Sequence, residues 1–188
     1  MINVFEECPS YKKTLINIRL IQLGDVQGLL QCYSDEQAVP LFNSDNCHGD
    51  DFHYETAERM KQAIDDWLYA YQHKYYVRWT VILNETQEIL GTIEMVRRHA
   101  EDAFKHYGIL RIDLKSTCED PNVIDEILEI ADEHLYELFD VNDILTKAIP
   151  QAAARIEALL GKGYRPLNQK MVIFDDYFVK SKPVTSPV

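Results

Sequence analysis

The chain has 188 residues, 46% of them hydrophobic, which is enough for one globular domain with its own core and too little for two. Its 31 acidic side chains outnumber 19 basic ones for a formal charge of -12, and Lys12, Lys13, Arg97, Arg98, Lys162 and Arg165 are dispersed, so a nonspecific grip on nucleic acid is excluded. Residues 1–13 lack the basic start and apolar run of a secretion signal, no stretch has the length of a membrane span, and Cys8, Cys32, Cys47 and Cys118 form no CxxC pair, so a soluble cytoplasmic protein with reduced thiols and no membrane partner is expected.

In chain order, residues 14–21 alternate as a strand, with Ile16, Ile18 and Leu20 on one face. Gly24 and Asp25 open a short helix that Asp25 can cap, with Val26, Leu29 and Leu30 as its apolar stripe. Between residues 34 and 52 periodicity is lost, and Pro40, Asn43, Asn46 and Gly49 mark a long loop, a kind of segment that often carries function. Cys47, His48 and His53, with Asp50 and Asp51 between them, are possible metal ligands there, but their spacing matches no metal signature and a mobile polar loop is expected. Residues 54–75 read as a helix whose apolar face, Met60, Ile64, Trp67, Leu68 and Tyr71, suits a core.

The clearest strand spans 76–83, with Val77, Trp79, Val81 and Leu83 inward. A polar turn at 84–88 leads directly into a second strand, 89–96, so the two should form an antiparallel hairpin near the middle of the sheet. In that second strand Ile89, Ile93 and Met95 share one face, and Leu90, Thr92, Glu94 and Val96 the other. After a polar connection, strand 108–114 buries Leu110, Ile112 and Leu114 together, opposite Arg111 and Asp113. A loop at 115–122, a helix at 123–139, a short strand at 144–148 and a helix at 151–160 stopped by Gly161 and Gly163 follow. A small strand at 164–166 and a last strand at 171–179 complete the pattern. The expected organisation is a lead at 1–14, one domain at 15–180 and a flexible tail at 181–188.

Three segments carry a family likeness. They are Ile16, Asn17, Ile18, Arg19 and Leu20 leading into Gly24 and Asp25; the second hairpin strand, Ile89, Leu90, Gly91, Thr92 and Ile93; and Leu159, Leu160, Gly161, Lys162, Gly163, Tyr164 and Arg165 near the end. With the element order β-α-α-β-β-β-α-β-α-β over nearly the whole chain, this resembles the GNAT family of acyl-CoA-dependent N-acetyltransferases. The resemblance implies an α/β (α+β) fold with a mixed, mostly antiparallel, twisted sheet and helices on both faces. It implies acetyl-CoA as cosubstrate in a cleft where strands 108–114 and 144–148 splay apart, with a primary amine attacking the thioester directly.

An amine attacks only when neutral, so a base or water relay must take its proton, and an acid can protonate the departing thiolate. Glu94 is the candidate base, expected to project into a cleft beside Leu114; the alternative is an exposed glutamate in cross-strand pairs. Tyr164 is the candidate acid, although an aromatic after that glycine is ordinarily core.

The chain departs from the family at the pyrophosphate loop. Its usual Gln or Arg, two residues, Gly, one residue, then Gly or Ala align here with Asp120, Val123 and Asp125, with Pro121 between. Proline removes an amide donor, valine crowds the backbone, and Glu119, Asp120 and Asp125 place negative charge beside an anion. Ala152 and Leu159 stand where the family often has Asn and Tyr. Cofactor contacts would instead come from Leu114, Lys115, Ser116, Thr117 and Asn122. Two functions stay open: an N-acetyltransferase with atypical cofactor binding and a small-molecule or peptide amine acceptor, cationic in view of the acidic chain, or a GNAT-like binding module that has lost acetyl transfer. An open sheet edge would permit a homodimer.

Overall fold

The computed structural model describes residues 3–182. The strands are β1 (Tyr11–Lys12), β2 (Ile16–Leu20), β3 (Val77–Leu83), β4 (Ile89–Arg97), β5 (Gly108–Leu114), β6 (Asp143–Lys147), β7 (Arg165–Pro166) and β8 (Tyr177–Ser181). They form one eight-stranded sheet in the order β1-β2-β3-β4-β5-β6-β8-β7. Every neighbouring pair is antiparallel except β5 and β6, so the mixed, mostly antiparallel sheet and the central β3–β4 hairpin are as the sequence predicts.

Helices cover both faces. Helices α1 (Val26–Tyr33) and α2 (Ala57–Gln72), with the segment between them, pack on one face, where Tyr33, Phe42, Phe52, Tyr54 and Trp67 form an apolar cluster. On the other lie α3 (Pro121–Ile130), continued through a π turn at Ala131–Leu135 into the short α4 (Tyr136–Leu138), and α5 (Ala153–Gly161). There Val77, Trp79, Val81, Leu110, Ile112 and Leu114 meet Ile124, Ile127, Leu128 and Leu159 in the main core.

Several local expectations change. Helix α2 is shorter than 54–75 because Thr56 caps it, its side chain accepting from Arg59 N at 3.1 Å, which leaves Tyr54 free to pack separately. Asp25 does not cap α1 with its side chain; it accepts from Arg19 and Thr80 instead. Ile89 and Leu90 lie on opposite faces from those expected. The β3–β4 register shifts between Val81 and Ile82, making Leu90 an extra residue that turns into the main core while Ile89 packs under α1.

The last strand begins at Tyr177, not at 171, because Met171 and Phe174 close a tight bridge of their own. It extends into the expected tail, and Lys182 N still donates to Asn142 O at 2.7 Å; residues 183–188 lie outside the described residues. The expected N-terminal lead joins the fold as well. Residues 11–12 pair with β2, Val4 is buried, and Trp79 Nε1 donates to Pro9 O at 2.9 Å.

The sheet depends on one close approach. Gly91 sits opposite Leu114, and a Cβ built there would lie 1.9 Å from the carbonyl oxygen of Asp113. Gly91→Ala must therefore push β4 and β5 apart, and a loss of about 3 kcal/mol in chemical denaturation is expected, at the upper end of overpacking costs; an unchanged midpoint would contradict this register.

Candidate active site

Two polar rows cross the sheet under α1 and α2. Register aligns Arg78, Glu94 and Arg111 across β3, β4 and β5, and beside them Thr80, Thr92 and Asp113. The alternation predicted Arg111, Asp113 and Glu94 on the face away from the main core. That face is not solvated: Arg78, Thr80, Thr92, Glu94 and Asp113 are all buried, because the α1–α2 layer closes over them.

Arg78 ties the rows together. Its Nη2 donates to Glu94 Oε2 at 2.6 Å and its Nη1 to Asp113 Oδ2 at 2.8 Å, Thr92 Oγ1 at 2.9 Å and the Tyr33 hydroxyl at 2.7 Å. Its guanidinium lies 4.2 Å from the centre of the Trp67 ring and 5.3 Å from that of Phe52. Arg111 Nη1 donates to the second Glu94 oxygen, so that carboxylate is held between two guanidiniums. Burial pushes the Glu94 pKa up, but Arg111 and Arg78 together outweigh it and hold the carboxyl below the ordinary glutamate range.

These groups floor a cavity of about 390 Å³ walled by Phe52, Tyr54, Trp67 and Tyr76, with Asp50, Arg59 and Asp66 also lining it. Glu94 thus reaches a pocket, but beside Arg111; Leu114 pairs with Gly91 further along. A carboxylate stabilised by two cations is a poor proton acceptor, and the alternative of cross-strand pairing describes its contacts, in a buried setting. The 34–52 loop, expected to be polar and mobile, is tightly bonded. Asp50 accepts from Phe52 N, the Tyr54 hydroxyl and Arg59, and among the described residues no group of His, Cys, Asp and Glu is arranged to hold a metal.

Strands β5 and β6 pair only from Gly108 with Ile144 to Leu110 with Thr146, then separate. Lys115 N donates back to Leu90 O, so antiparallel alternation turns the amides of Ile112 and Leu114 toward the opening. Over the mouth, Asp45 joins the strands: its carboxylate accepts from Lys147 Nζ at 2.8 Å and the Tyr177 hydroxyl at 3.1 Å, and its carbonyl accepts from Arg111. Neither Asp45 nor Tyr177 carries a sequence signal, since each acts across more than fifty residues of chain.

The expected cofactor residues have other partners. Lys115 Nζ donates to Glu88 at 2.7 Å and Gln31 at 3.0 Å. Ser116 N donates to Asp35 Oδ2, Cys118 N to Lys115 O, Asp120 N to Cys118 O and Asn122 N to the capping Asp120 side chain, so this turn satisfies most of its own amides. Thr117 and Asn122 are exposed. Tyr164, the expected acid, is core: it is 1% exposed, does not line the cavity above Glu94, and burial raises its pKa.

No protein-family model matches the sequence, and no curated protein does. Solved structures do match. A ribosomal-protein-S5-alanine acetyltransferase from Vibrio fischeri aligns over 95% of this chain and 100% of its own at 15% identity and a TM-score of 0.71. A GNAT-family acetyltransferase from Bacillus anthracis aligns over 92% and 98% at 12% identity and 0.67. This chain has the GNAT fold. RimJ of Mycobacterium smegmatis, solved in complex with CoA-disulfide, shares that fold at 10% identity over 88% of this chain and 81% of its own, with a TM-score of 0.68. Among the described residues, no helix of this GNAT-fold chain is long and apolar enough to cross a membrane.

Removing one member of a buried ion network strands the others, typically at about 3–5 kcal/mol, so Arg78→Met should lower the unfolding free energy by that much at neutral pH. The depressed Glu94 pKa adds a pH signature. Below the ordinary glutamate value the unfolded chain binds the proton more readily, so stability rises with pH there; this contribution is complete above about pH 4.3 and is lost on acidification through the lower folded pKa. Glu94→Gln should flatten that part of the profile, and an unaltered slope in denaturant melts from pH 3 to 6 would argue against the assignment.

Proposed function

We propose that this chain is an acyl-CoA-dependent N-acetyltransferase that takes the acetyl thioester in the opening between β5 and β6 and a primary amine through the pocket above Glu94. What carries the reading is the separation, after Leu110, of the one parallel strand pair among the described residues, with two β5 amides facing the opening and a charged, aromatic-walled pocket on the adjoining face. Amides fixed there can polarise a thioester carbonyl and hold the oxyanion that forms as the amine adds. The new C–N bond then displaces the C–S bond, and the thiolate leaves with a proton.

The amine's proton passes to water, since Glu94 is held ionised by two arginines and serves to fix the pocket floor. The departing thiolate takes its proton from water: Tyr164 is buried too deeply to supply it, and the Tyr177 hydroxyl, its pKa raised by burial and the adjacent Asp45, donates to Asp45 and stays protonated at the mouth. The pocket lining sets Asp50, Asp66 and Glu94 against Arg59, Arg78 and Arg111, so the preference for a cationic amine rests on the acidic chain as a whole. An acetyl transferase of this fold from Salmonella typhimurium modifies the N-terminal serine of 50S ribosomal subunit protein L7/L12, which makes a peptide N-terminus one member of that class.

A second reading, a GNAT-fold binding module without transfer, is favoured by the turn at residues 115–122, whose amides are largely satisfied within the protein. Acetyl-CoA titration by calorimetry and thermal shift separates the two. Binding to the folded state alone raises stability by about 2.7 kcal/mol at a hundredfold excess over Kd. Asp120→Asn with Asp125→Asn keeps the helix cap, removes two charges and should tighten binding. Absence of binding at millimolar acetyl-CoA in both proteins would leave the module.

A further inference from the structure

Arg155 projects from the first turn of α5 and is only 1% exposed, yet its guanidinium is incompletely used. Nη1 donates to the carbonyl of Leu41 at 2.9 Å, and Nη2 donates to Glu119 Oε1. Nε is buried and has no partner among the described residues, and neither has Glu119 Oε2. A guanidinium and a carboxylate commonly share two parallel bonds; here the pair makes one and leaves a buried donor and a buried acceptor unmet, so the Nε and Nη2 edge of Arg155 is only half filled.

The two partners are unequally fixed. Arg155 is anchored on a helix and held by the Leu41 carbonyl. Glu119 belongs to the turn between β5 and α3, next to exposed Asp120, and its side chain is 8% exposed against 1% for that of Arg155.

We propose that this edge of Arg155 is an oxyanion seat for a ligand phosphoryl group, a diphosphate in particular, and that Glu119 occupies it in the unliganded protein. A phosphoryl group offers two oxygens to Nε and Nη2 together, which satisfies the donor that Glu119 leaves unmet. Its arrival frees the Glu119 carboxylate for water, and the seat changes from neutral to cationic as Glu119 leaves. The proposal rests on the reading of this chain as an acyl-CoA binder and moves phosphate recognition from the turn before α3, where amides are satisfied internally, onto a side chain of α5.

The test is calorimetric titration of the full chain with inorganic pyrophosphate and, separately, with acetyl-CoA. Glu119→Gln removes the competing charge and should tighten pyrophosphate binding about tenfold or more; Arg155→Met in that background should abolish the gain. Arg155→Lys keeps a charge without the two-point edge and should recover only part of it, and it remains interpretable if the methionine variant fails to fold. Pyrophosphate affinity indifferent to both positions would overturn the seat and leave the pair as a brace. If acetyl-CoA binds all variants equally, the seat falls while the enzyme reading stands. If pyrophosphate responds as expected but acetyl-CoA neither binds nor is consumed, the seat stands and the enzyme reading falls.

Discussion

The fold is arranged around a guanidinium that has no access to water. Arg78 can remain charged in the interior because Glu94, Asp113, Thr92 and Tyr33 meet its donors while Trp67 and Phe52 cover its faces. Those partners come from β4, β5, α1, α2 and the segment between the helices. Satisfying one side chain therefore fixes how the helical layer sits on the sheet. A well-packed apolar core can match such a network in stability, but it supplies no directional bonds between the layer and the sheet.

The same network shapes the pocket. With Glu94 neutralised by Arg78 and Arg111, the floor presents positioned charge without a free base, and Arg111 extends the network to Asp45 at the mouth of the β5–β6 opening. Asp45 in turn engages Lys147 and Tyr177, so strands that have ceased to pair are still joined through side chains. An opening in a sheet exposes backbone donors, and here it is retained between two well-paired halves.

Much of the architecture was legible in the residues. The β3–β4 hairpin followed from two alternating runs and a five-residue polar turn, and the α3 and α5 helices from apolar spacing. The candidate site was less legible. Glu94 stood out as a charge within a strand, but its pairing with two arginines required the register of three strands. Arg155 resembled any helix-surface arginine until Glu119 and Leu41, distant in sequence, were brought to it. The bulge at Leu90 left no mark in composition, since an extra apolar residue between apolar neighbours preserves the look of a strand.

The sequence by itself determined most of the strands and helices and, the bulge at Leu90 aside, which face of the central strands seeks the main core, because alternation and helical spacing are local properties of the chain. Only the tertiary structure decided that the opposite, polar face of β3, β4 and β5 is buried too. That outcome depends on residues 34–56 and α2 folding over it, and a polar face can be covered only when every charge on it finds its partner.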